Sequence, residues 1–537
     1  MTKYIFITGG VVSSIGKGIT AASIGRILKS RGLNVSIQKH DPYLNVDAGT
    51  MSPFQHGEAF VTEDGAETDL DLGHYERFIN INLTRDNTVT TGKVYNTVIS
   101  KERHGDFLGK TVQIIPHITD EIKNSIKRLN KPSETPLDVI IVEIGGTVGD
   151  IEGLPFLEAI RQFRNDIGKE NVLYAHVSFF PYLKAAKEIK SKPTQHSIKE
   201  LRGIGIQPDL LICRSQSNLT ETVKEKISLF CDIPKKAIIE VRDVNSIYEV
   251  PLVLEEQGLG DLLVEMLGLS NKKPDLKEWR EMVYRLNHPD KQITIGVIGK
   301  YIRLKDAYMS INEALIHAGI YHKCKIKIKK IDSDFLIKND LKEMLKNLDA
   351  ILIPGGFGIR GIEGKIQAIQ YARQNKIPFM GICLGMQCAL IEYARNKLGF
   401  SGANSIEFDP NTPYPILNLM EKQKNVTDKG GTMRLGNYEC KLRKGTRAYN
   451  IYGKDSIKER HRHRYEFNND FLSIFQQNDI IFSGINLENN LVEIFELENH
   501  PWFFGMQFHP EFKSRPNRPH PMFLSFIEAA IKNADCL

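Results

Sequence analysis

A cysteine framed by glycines constrains the C-terminal half of this chain more than any other short segment. In Gly381-Ile382-Cys383-Leu384-Gly385, a glycine stands two positions away from Cys383 on each side. Small residues at these positions allow a strained turn from a strand into a helix, and this turn lifts the central side chain clear of the sheet edge. The segment therefore predicts an α/β layer that presents a thiol at a strand-to-helix elbow.

A glycine-rich loop near the N-terminus predicts a phosphate site. An apolar strand at residues 4–8 is followed by a loop containing Gly9, Gly10, Gly16 and Lys17, and then by a helix-forming run through residue 28. This order points backbone N–H groups and a helix N-terminus at an anion. The loop differs from the usual pattern, because Gly18 follows the lysine where Ser or Thr is expected. From the loop alone, a tight turn without a ligand stays open.

Two acidic residues extend this prediction to a metal ion. The apolar strand at residues 139–142 ends in Glu143, and Asp71 lies in a stretch too acidic for a core. Taken singly, each acid is typical of a cap or a surface charge. Together with Lys17, they supply the cation and the oxygens that phosphoryl transfer needs, so Asp71 and Glu143 are the predicted magnesium ligands.

Chain length and strand spacing predict two α/β domains. A chain of 537 residues is too long for one core. Short β-branched runs at residues 4–7, 35–37, 139–142, 172–177 and 210–212 alternate with helical stretches, and a second series stands at 293–298, 350–353, 379–382 and 503–508. This pattern is typical of parallel sheets covered on both faces. We predict domains at 1–270 and 292–537 with a linker at 271–291, and leave the structure of 404–450 open.

Composition excludes several classes of protein. The seven cysteines show neither Cys-x-x-Cys spacing nor the density of a disulfide framework, which favours a reducing cytoplasm. The chain starts without a targeting signal, and eighteen consecutive apolar residues occur nowhere, so no membrane partner is expected. A net charge of +6 is too dilute for a nucleic-acid surface but suits nucleotides.

The partners expected for the thiol follow later in the sequence. His509 and Glu511 stand two residues apart, so an extended backbone puts both on one side and lets the carboxylate orient the imidazole. The glycines of Pro354-Gly355-Gly356-Phe357-Gly358 offer backbone N–H groups to a developing oxyanion, although a simple turn is equally consistent. We predict Cys383, His509 and Glu511 as a catalytic triad and Cys388 as a core residue.

Two basic stretches have less specific patterns. The segment 461–464, His-Arg-His-Arg, is consistent with a phosphate clamp or with a solvated turn, and composition favours the turn. Lysines alternate with apolar residues over 323–329, which predicts an exposed or edge strand.

Taken together, these residues resemble the CTP synthase family over nearly the whole chain. The matching motifs, besides the class I glutaminase signature around Cys383 and His509, are Gly9-Gly10-Val11-Val12-Ser13-Ser14-Ile15-Gly16-Lys17-Gly18, Asp41-Pro42-Tyr43-Leu44-Asn45-Val46-Asp47, Gly65-Ala66-Glu67-Thr68-Asp69-Leu70-Asp71, Gly145-Gly146-Thr147-Val148-Gly149-Asp150-Ile151-Glu152 and Lys192-Pro193-Thr194-Gln195-His196. The resemblance implies an α/β fold with two mostly parallel sheets flanked by helices, one in a P-loop, dethiobiotin-synthetase-like synthetase domain and one in a class I glutaminase domain.

The resemblance also implies substrates and the residues that bind them. ATP would phosphorylate the uracil 4-oxygen of UTP, and ammonia released from L-glutamine would displace that phosphate to give CTP. The implied ATP contacts are Ser14, Ile15, Gly16, Lys17, Gly18, Ile19, Lys39, Asp71, Arg242, Asp243 and Val244. The implied UTP or CTP contacts are Ser13, Asp150, Ile151, Glu152, Lys190, Ser191, Lys192, Pro193, Thr194, Gln195 and Lys226. The implied glutamine contacts are Gly356, Leu384, Gly385, Met386, Gln387, Glu407 and Arg464.

Further expectations from the resemblance concern regulation and assembly. It implies Mg²⁺ with ATP and no covalent cofactor, GTP as an activator, CTP as an inhibitor, a cytoplasmic homotetramer, and an internal ammonia passage with Pro53 and His56 as wall candidates. Two alternatives remain: another phosphate-loop amidoligase, such as a cobyrinate or dethiobiotin synthetase relative, and a nucleotide-switched assembly protein with vestigial catalytic residues. The motifs at 150–152 and 192–195 count against the first alternative, and the intact set of catalytic residues counts against the second.

Overall fold

The computed structural model describes residues 1–130, 136–185, 187–270, 272–302, 304, 306–420, 423 and 430–536. Contacts among them divide the chain into two units. Unit 1 comprises Met1–Asp47 and Asp71–Val283, and unit 2 comprises Ala48–Leu70 and Tyr284–Leu537. The units differ from the predicted domain bounds in two respects: residues 48–70 belong to unit 2, and the predicted linker 271–291 is divided between the units after Val283. Asn271 of this linker lies outside the described residues. The predicted bounds remain predictions.

A parallel sheet of seven strands forms the centre of unit 1, in the order β11-β10-β7-β1-β6-β2-β5. The elements of the first half of the chain are β1 (Lys3–Gly10), α1 (Lys17–Ser30), β2 (Val35–Asp41), α2 (Pro53–His56), β3 (Phe60–Val61), β4 (Glu67–Thr68), α3 (Asp71–Ile79), β5 (Thr88–Thr90), α4 (Thr91–His104), α5 (Thr119–Arg128), β6 (Val139–Ile144), α6 (Leu154–Ile167), β7 (Val172–Phe180), β8 (Tyr182–Leu183), β9 (Glu188–Ile189), α7 (Lys192–Gly203), β10 (Leu210–Ser215), α8 (Glu221–Cys231), β11 (Ile238–Arg242), α9 (Val250–Glu256), α10 (Leu259–Leu267) and α11 (Lys277–Asn287).

The apolar runs of the sequence become the buried strands of this sheet. Every residue of β2 and of β6 is buried, as expected for strands covered by helices on both faces. All five strands predicted in this half lie within observed strands. The predicted linker contains α11, whose Trp279 is buried and donates through its indole N–H to the carbonyl of Tyr248 at 2.8 Å.

Unit 2 is built on a sheet of nine strands in the order β13-β12-β14-β15-β23-β22-β21-β18-β19. The elements of this half are β12 (Lys291–Gly299), α12 (Met309–Tyr321), β13 (Cys324–Asp332), α13 (Ser333–Leu336), α14 (Leu341–Leu345), β14 (Ala350–Ile353), α15 (Ile362–Gln374), β15 (Phe379–Ile382), α16 (Leu384–Asn396), β16 (Asn404–Ser405), β17 (Pro415–Leu419), β18 (Arg434–Leu442), α17 (Arg447–Tyr452), β19 (Ser456–His463), β20 (Tyr465–Phe467), α18 (Leu472–Gln476), β21 (Ile480–Asn486), β22 (Leu491–Leu497), β23 (Phe503–Met506) and α19 (Pro521–Asp535).

The nine-stranded sheet changes direction at β23. The five strands β13, β12, β14, β15 and β23 pair in parallel. The strands β22, β21, β18 and β19 extend the sheet beyond β23 by antiparallel pairing. The lysine-rich β13 is an edge strand, as its sequence predicted, and its Lys325, Lys327 and Lys329 are exposed. Both units therefore contain parallel sheets flanked by helices, which confirms the predicted fold class.

The segment Ala48–Leu70 packs within unit 2, although it interrupts the unit 1 sequence. The ring of Phe60 meets that of Phe512 edge to face with 5.1 Å between centroids. Arg460 Nη1 donates to the Val61 carbonyl at 3.0 Å, so a guanidinium group of β19 depends on this segment for a backbone acceptor.

None of the helices in the described part of the chain is both long enough and apolar enough to cross a membrane.

Candidate functional site

The elbow at Cys383 has the strained geometry that its sequence predicted. Cys383 lies between β15 and α16 with φ of 50°, in the left-handed region that side chains rarely occupy. A Cβ on Gly381 would lie 2.7 Å from the Gly385 carbonyl carbon, and a Cβ on Gly385 would lie 2.1 Å from the Ile353 oxygen. Glycine is therefore required on both sides of the turn.

The imidazole of His509 and the carboxylate of Glu511 form a buried pair in the same unit. His509 Nδ1 lies 2.7 Å from Glu511 Oε1, and the two residues are 8% and 2% exposed. Burial lowers the pKa of His509, but Glu511 and Cys383 outweigh this effect and raise it to about 10. A histidine that stays protonated at neutral pH supplies the countercharge for a thiolate.

Gly355 lies against both His509 and Cys383. A Cβ on Gly355 would be 2.8 Å from His509 Cε1 and 3.6 Å from Cys383 Cβ. The thiol, the imidazole and the glycine-rich loop predicted to hold an oxyanion thus meet at one place.

Lys300, which the sequence analysis did not identify, braces this loop. Its ammonium donates to the carbonyls of Phe357 and of Gly358, the latter at 2.8 Å. Burial and the neighbouring Lys365 lower the pKa of Lys300 to about 7. The Gly358 N–H in turn donates to Glu407 Oε1 at 2.7 Å, and burial raises the pKa of Glu407.

Two further groups touch the sulfur. The Cys383 thiol donates to the Arg462 carbonyl at 3.7 Å, and Gln507 Nε2 donates to the sulfur at 3.7 Å. The Arg462 side chain pairs with Glu67 at 2.8 Å and lies over the ring of Phe357 at 5.0 Å.

The solvated turn that composition favoured at 461–464 is wrong. His461 and His463 are buried in β19, with 0% and 1% exposure, because they lie on the same strand face as the buried Ile457 and Glu459, whereas Lys458 on the opposite face is exposed. Arg464 follows the strand and donates to Gln423 at 2.6 Å and to Thr432 at 2.9 Å.

The other predicted glutamine contacts surround the elbow. Gly356 lies beside Leu384, since a Cβ on Gly356 would be 3.4 Å from Leu384 Cδ2. Leu384, Met386 and Gln387 are at most 3% exposed, so the two apolar residues can offer a ligand little more than backbone. Cys388 is fully buried, which raises the pKa of its thiol to about 11 and agrees with the predicted core role.

In unit 1, the loop after β1 holds Lys17 against the sheet. Lys17 Nζ donates to the Gly146 carbonyl at 2.6 Å, and burial lowers its pKa. A Cβ on Gly9 would lie 2.6 Å from Lys17 Cδ, and a Cβ on Gly18 would lie 2.2 Å from Asp71 Oδ1. The departure from the usual loop pattern at Gly18 therefore makes room for the Asp71 carboxylate.

The predicted metal ligands converge on a lysine. Lys39 Nζ lies 2.6 Å from Asp71 and 3.0 Å from both oxygens of Glu143, with Asp41 at 3.8 Å. Burial opposes the charge of Lys39, but these carboxylates raise its pKa well above 10.5. Burial would also raise the pKa of Asp71, yet Lys39 and His74 hold it below the usual value.

This centre fits a magnesium ion. Asp71 and Glu143 direct two hard oxygen donors to one point, and one or two carboxylates are the usual protein contribution when phosphates complete the coordination. Among the described residues, no group of three or more His, Cys, Asp or Glu side chains is placed to hold a metal ion, so any site here would have only two carboxylate ligands from the protein.

Arg214, which the sequence analysis missed, connects two predicted ATP contacts. It donates to the Ile15 carbonyl at 3.1 Å and to Asp243 at 3.2 Å. Among the other predicted ATP contacts, Ser14 and Arg242 are exposed, and Ile19 and Val244 are partly exposed. Ser13, a predicted UTP contact in the same loop, is exposed as well.

The predicted UTP contacts lie on several segments of unit 1. Lys190 pairs with Glu188, whose pKa is lowered by Lys190 and by Lys226. Thr194 is buried and bonded to Ser178 at 2.7 Å. Asp150 accepts from the Thr147 N–H at 2.7 Å, and Gln195 donates to Ser191 at 3.1 Å. The other predicted contacts on these segments are at least partly exposed: Ile151, Glu152, Lys192 and Pro193.

Known proteins resemble both halves of the chain. The family profile described as CTP synthase N-terminus matches residues 3–269, and that of class-I glutamine amidotransferase matches residues 303–529. The CTP synthase of Carboxydothermus hydrogenoformans is 62% identical over 532 residues and covers 99% of each chain. The CTP synthase of Bacillus subtilis is 58% identical over 535 residues and covers 100% of each. A solved glutaminase domain of Trypanosoma brucei CTPS with bound acivicin is 35% identical, covers 45% of this chain and 94% of that chain, and gives a TM-score of 0.43.

Proposed function

Since the chain belongs to the CTP synthase family, we propose that it aminates UTP to CTP with ATP as the energy source and glutamine as the ammonia donor. Family membership makes the chain a glutamine-hydrolysing ligase of pyrimidine biosynthesis. The division of the two half-reactions between the units is our proposal.

Ammonia release is assigned to unit 2. The Cys383 thiolate attacks the amide carbon of glutamine, and protonated His509 gives its Nε2 proton to the departing ammonia. His509 then accepts a proton from the water that hydrolyses the thioester to glutamate. Backbone N–H groups of the loop at Gly355 and Gly356 would stabilise the oxyanion, while Glu511 fixes the imidazole.

UTP activation is assigned to unit 1. Lys17 and Lys39 would neutralise charge on the phosphoryl group as it moves from ATP to the uracil 4-oxygen, and ammonia would then displace that phosphate. Asp71 and Glu143 would hold magnesium, which supplies positive charge to the phosphates. Gly9 leaves room for the Lys17 side chain, and Gly18 leaves room for the Asp71 carboxylate. Passage of ammonia between the domains, with Pro53 and His56 as wall candidates, remains part of the proposal.

The proposal extends to nucleotide recognition and regulation. We propose that the 13–19 loop and the 242–244 segment bind ATP, that the 150–152 and 190–195 segments with Lys226 bind UTP or the inhibitor CTP, and that GTP activates the enzyme. We also propose a cytoplasmic homotetramer. The apolar side chains of unit 1 that a subunit contact would cover include Ile114, Ile115 and Ile151, which are 51%, 51% and 82% exposed.

The observation that carries the proposal is the meeting of a strained Cys383 with a buried His509–Glu511 pair beside Gly355. The test follows the ultraviolet change from uracil to cytosine in UTP, ATP, Mg²⁺ and either glutamine or an ammonium salt. Cys383→Ala should abolish the glutamine-supported reaction and spare the ammonium-supported one.

Cys388→Ala is the matched control, because Cys388 is a buried thiol of the same helix with no assigned chemistry. It should retain both reactions. Equal loss of both reactions in Cys383→Ala, at an unchanged Tm, would contradict separate sites.

A further inference from the structure

We propose that Gln507 is a catalytic residue of the ammonia-releasing reaction, in which its side-chain amide donates to the Cys383 sulfur and stabilises the thiolate. This inference rests on the proposed role of Cys383 as the nucleophile.

Sheet register brings the two residues together. Strands β15 and β23 are parallel neighbours, and Ile382 pairs with Met506. Cys383 directly follows the last residue of β15, and Gln507 directly follows the last residue of β23. The Cys383 N–H donates to the Met506 carbonyl at 2.7 Å. Both side chains therefore leave the carboxyl end of the sheet at the same level.

A second glutamine fixes the orientation of the Gln507 amide. Gln387 Nε2 donates to the Tyr465 carbonyl at 3.1 Å and to Gln507 Oε1 at 3.3 Å. A backbone carbonyl only accepts hydrogen bonds, so Gln387 must direct its NH₂ group toward Tyr465. Gln507 then presents its oxygen to Gln387 and its own NH₂ group to the sulfur, at 3.7 Å.

The charge of the nucleophile makes this donor useful. The Arg462 carbonyl accepts from the Cys383 thiol, but a carbonyl oxygen repels the thiolate that must attack. An N–H donor favours the anion, and hydrogen bonds to ionised groups are about twice as strong as neutral ones. Because Gln507 is 0% exposed, its amide is not shared with solvent.

The test measures the reactivity of the sulfur itself. Gln507→Glu keeps the shape of the side chain and removes the N–H donor. Iodoacetamide labelling of the Cys383 peptide, followed by mass spectrometry from pH 5 to 10, should slow at least tenfold at pH 7, and its midpoint should rise by at least one pH unit. The exposed Cys536 is an internal reference that should label equally in both proteins.

Kinetics and controls separate a catalytic role from a structural one. Glutamine kcat/KM should fall in parallel with labelling, while ammonium-supported synthesis stays unchanged. Gln507→Met removes the donor without adding an acid and should give the same shift, which keeps the test valid if the acidic variant does not fold. Asn486→Asp is the matched control, since Asn486 is a buried amide of unit 2 that donates to the backbone carbonyl of Glu439 and not to a sulfur.

An unshifted labelling profile in the folded variants would overturn the inference, even if kcat/KM fell. Absence of a fast, pH-dependent reaction of Cys383 in the unmodified protein would instead refute its role as the nucleophile, which is the proposed function.

Discussion

Replacing Glu511 with glutamine should disable ammonia release without affecting synthesis from free ammonia. Glu511→Gln keeps the size of the side chain but removes the negative charge from a 2.7 Å contact with His509 Nδ1 that is almost fully buried. A hydrogen bond to a charged group contributes about 1.5–3 kcal/mol. If this contribution is realised in the transition state, glutamine kcat/KM falls roughly 10-fold to 150-fold.

The same change should alter how stability depends on pH. The pKa of His509 is raised from 6.5 to about 10, so its protonation stabilises the fold fully below pH 6.5 and this contribution is lost as pH rises through about 10. Without the carboxylate, burial lowers this pKa. The Tm difference between the unmodified protein and Glu511→Gln should therefore shrink as pH rises from 6.5 to 10.

A second buried Glu–His pair provides the control. Glu459 Oε1 lies 2.9 Å from His520 Nε2 in the same unit, and both residues are at most 5% exposed. Glu459→Gln should lower Tm but leave glutamine kcat/KM unchanged. We would abandon the assigned role of Glu511 if kcat/KM at pH 8 stayed within twofold of the unmodified enzyme, or if Glu459→Gln lost as much activity.

Three other substitutions test the two sites separately. Gly355→Ala places a Cβ 2.8 Å from His509 Cε1, so glutamine-supported turnover should fall at least tenfold, and an unchanged rate would exclude close packing there. Lys300→Met removes the ammonium that braces the loop. Because burial lowers the pKa of Lys300 to about 7, the loss of glutamine kcat/KM should be greatest below pH 7 and shrink above it; a pH-independent loss would contradict this brace. Glu143→Gln removes a charged partner of Lys39 and should stop ammonium-supported CTP formation while glutamate release continues; normal ammonium-driven turnover would refute the metal assignment.

Sequence patterns predicted the features that depend on neighbouring residues. The buried parallel strands and the elbow at Cys383 follow from local burial and glycine placement, and the structure confirms both. The contact between His509 and Glu511 is also present, but the extended backbone from which it was predicted is wrong, because Pro510–Lys513 form a 3₁₀ helix. The ligand assignments, such as Arg464, remain predictions.

Features that depend on distant contacts were not predictable in this way. Lys300 acquires its role only when β12 is placed beside β14, and Arg214 only when its strand is placed beside β11. The antiparallel part of the second sheet begins in the polar 404–450 stretch, where periodicity gave no assignment. His461 was misjudged because a charged strand can be buried when partners such as Glu493, 3.5 Å from His461, are present.

The placement of residues 48–70 in unit 2 bears on how the protein can be divided. A gene fragment that begins at residue 284 would encode the nine-stranded sheet yet omit Phe60 and the Val61 carbonyl, to which Arg460 donates. It would also omit Glu67, the carboxylate that pairs with the Arg462 guanidinium. This loss lies close to Cys383, because the Cys383 thiol donates to the Arg462 backbone carbonyl. An excised glutaminase should therefore be less stable than the same sheet in the intact chain, and grafting it onto another synthetase requires transplanting two separate stretches of sequence.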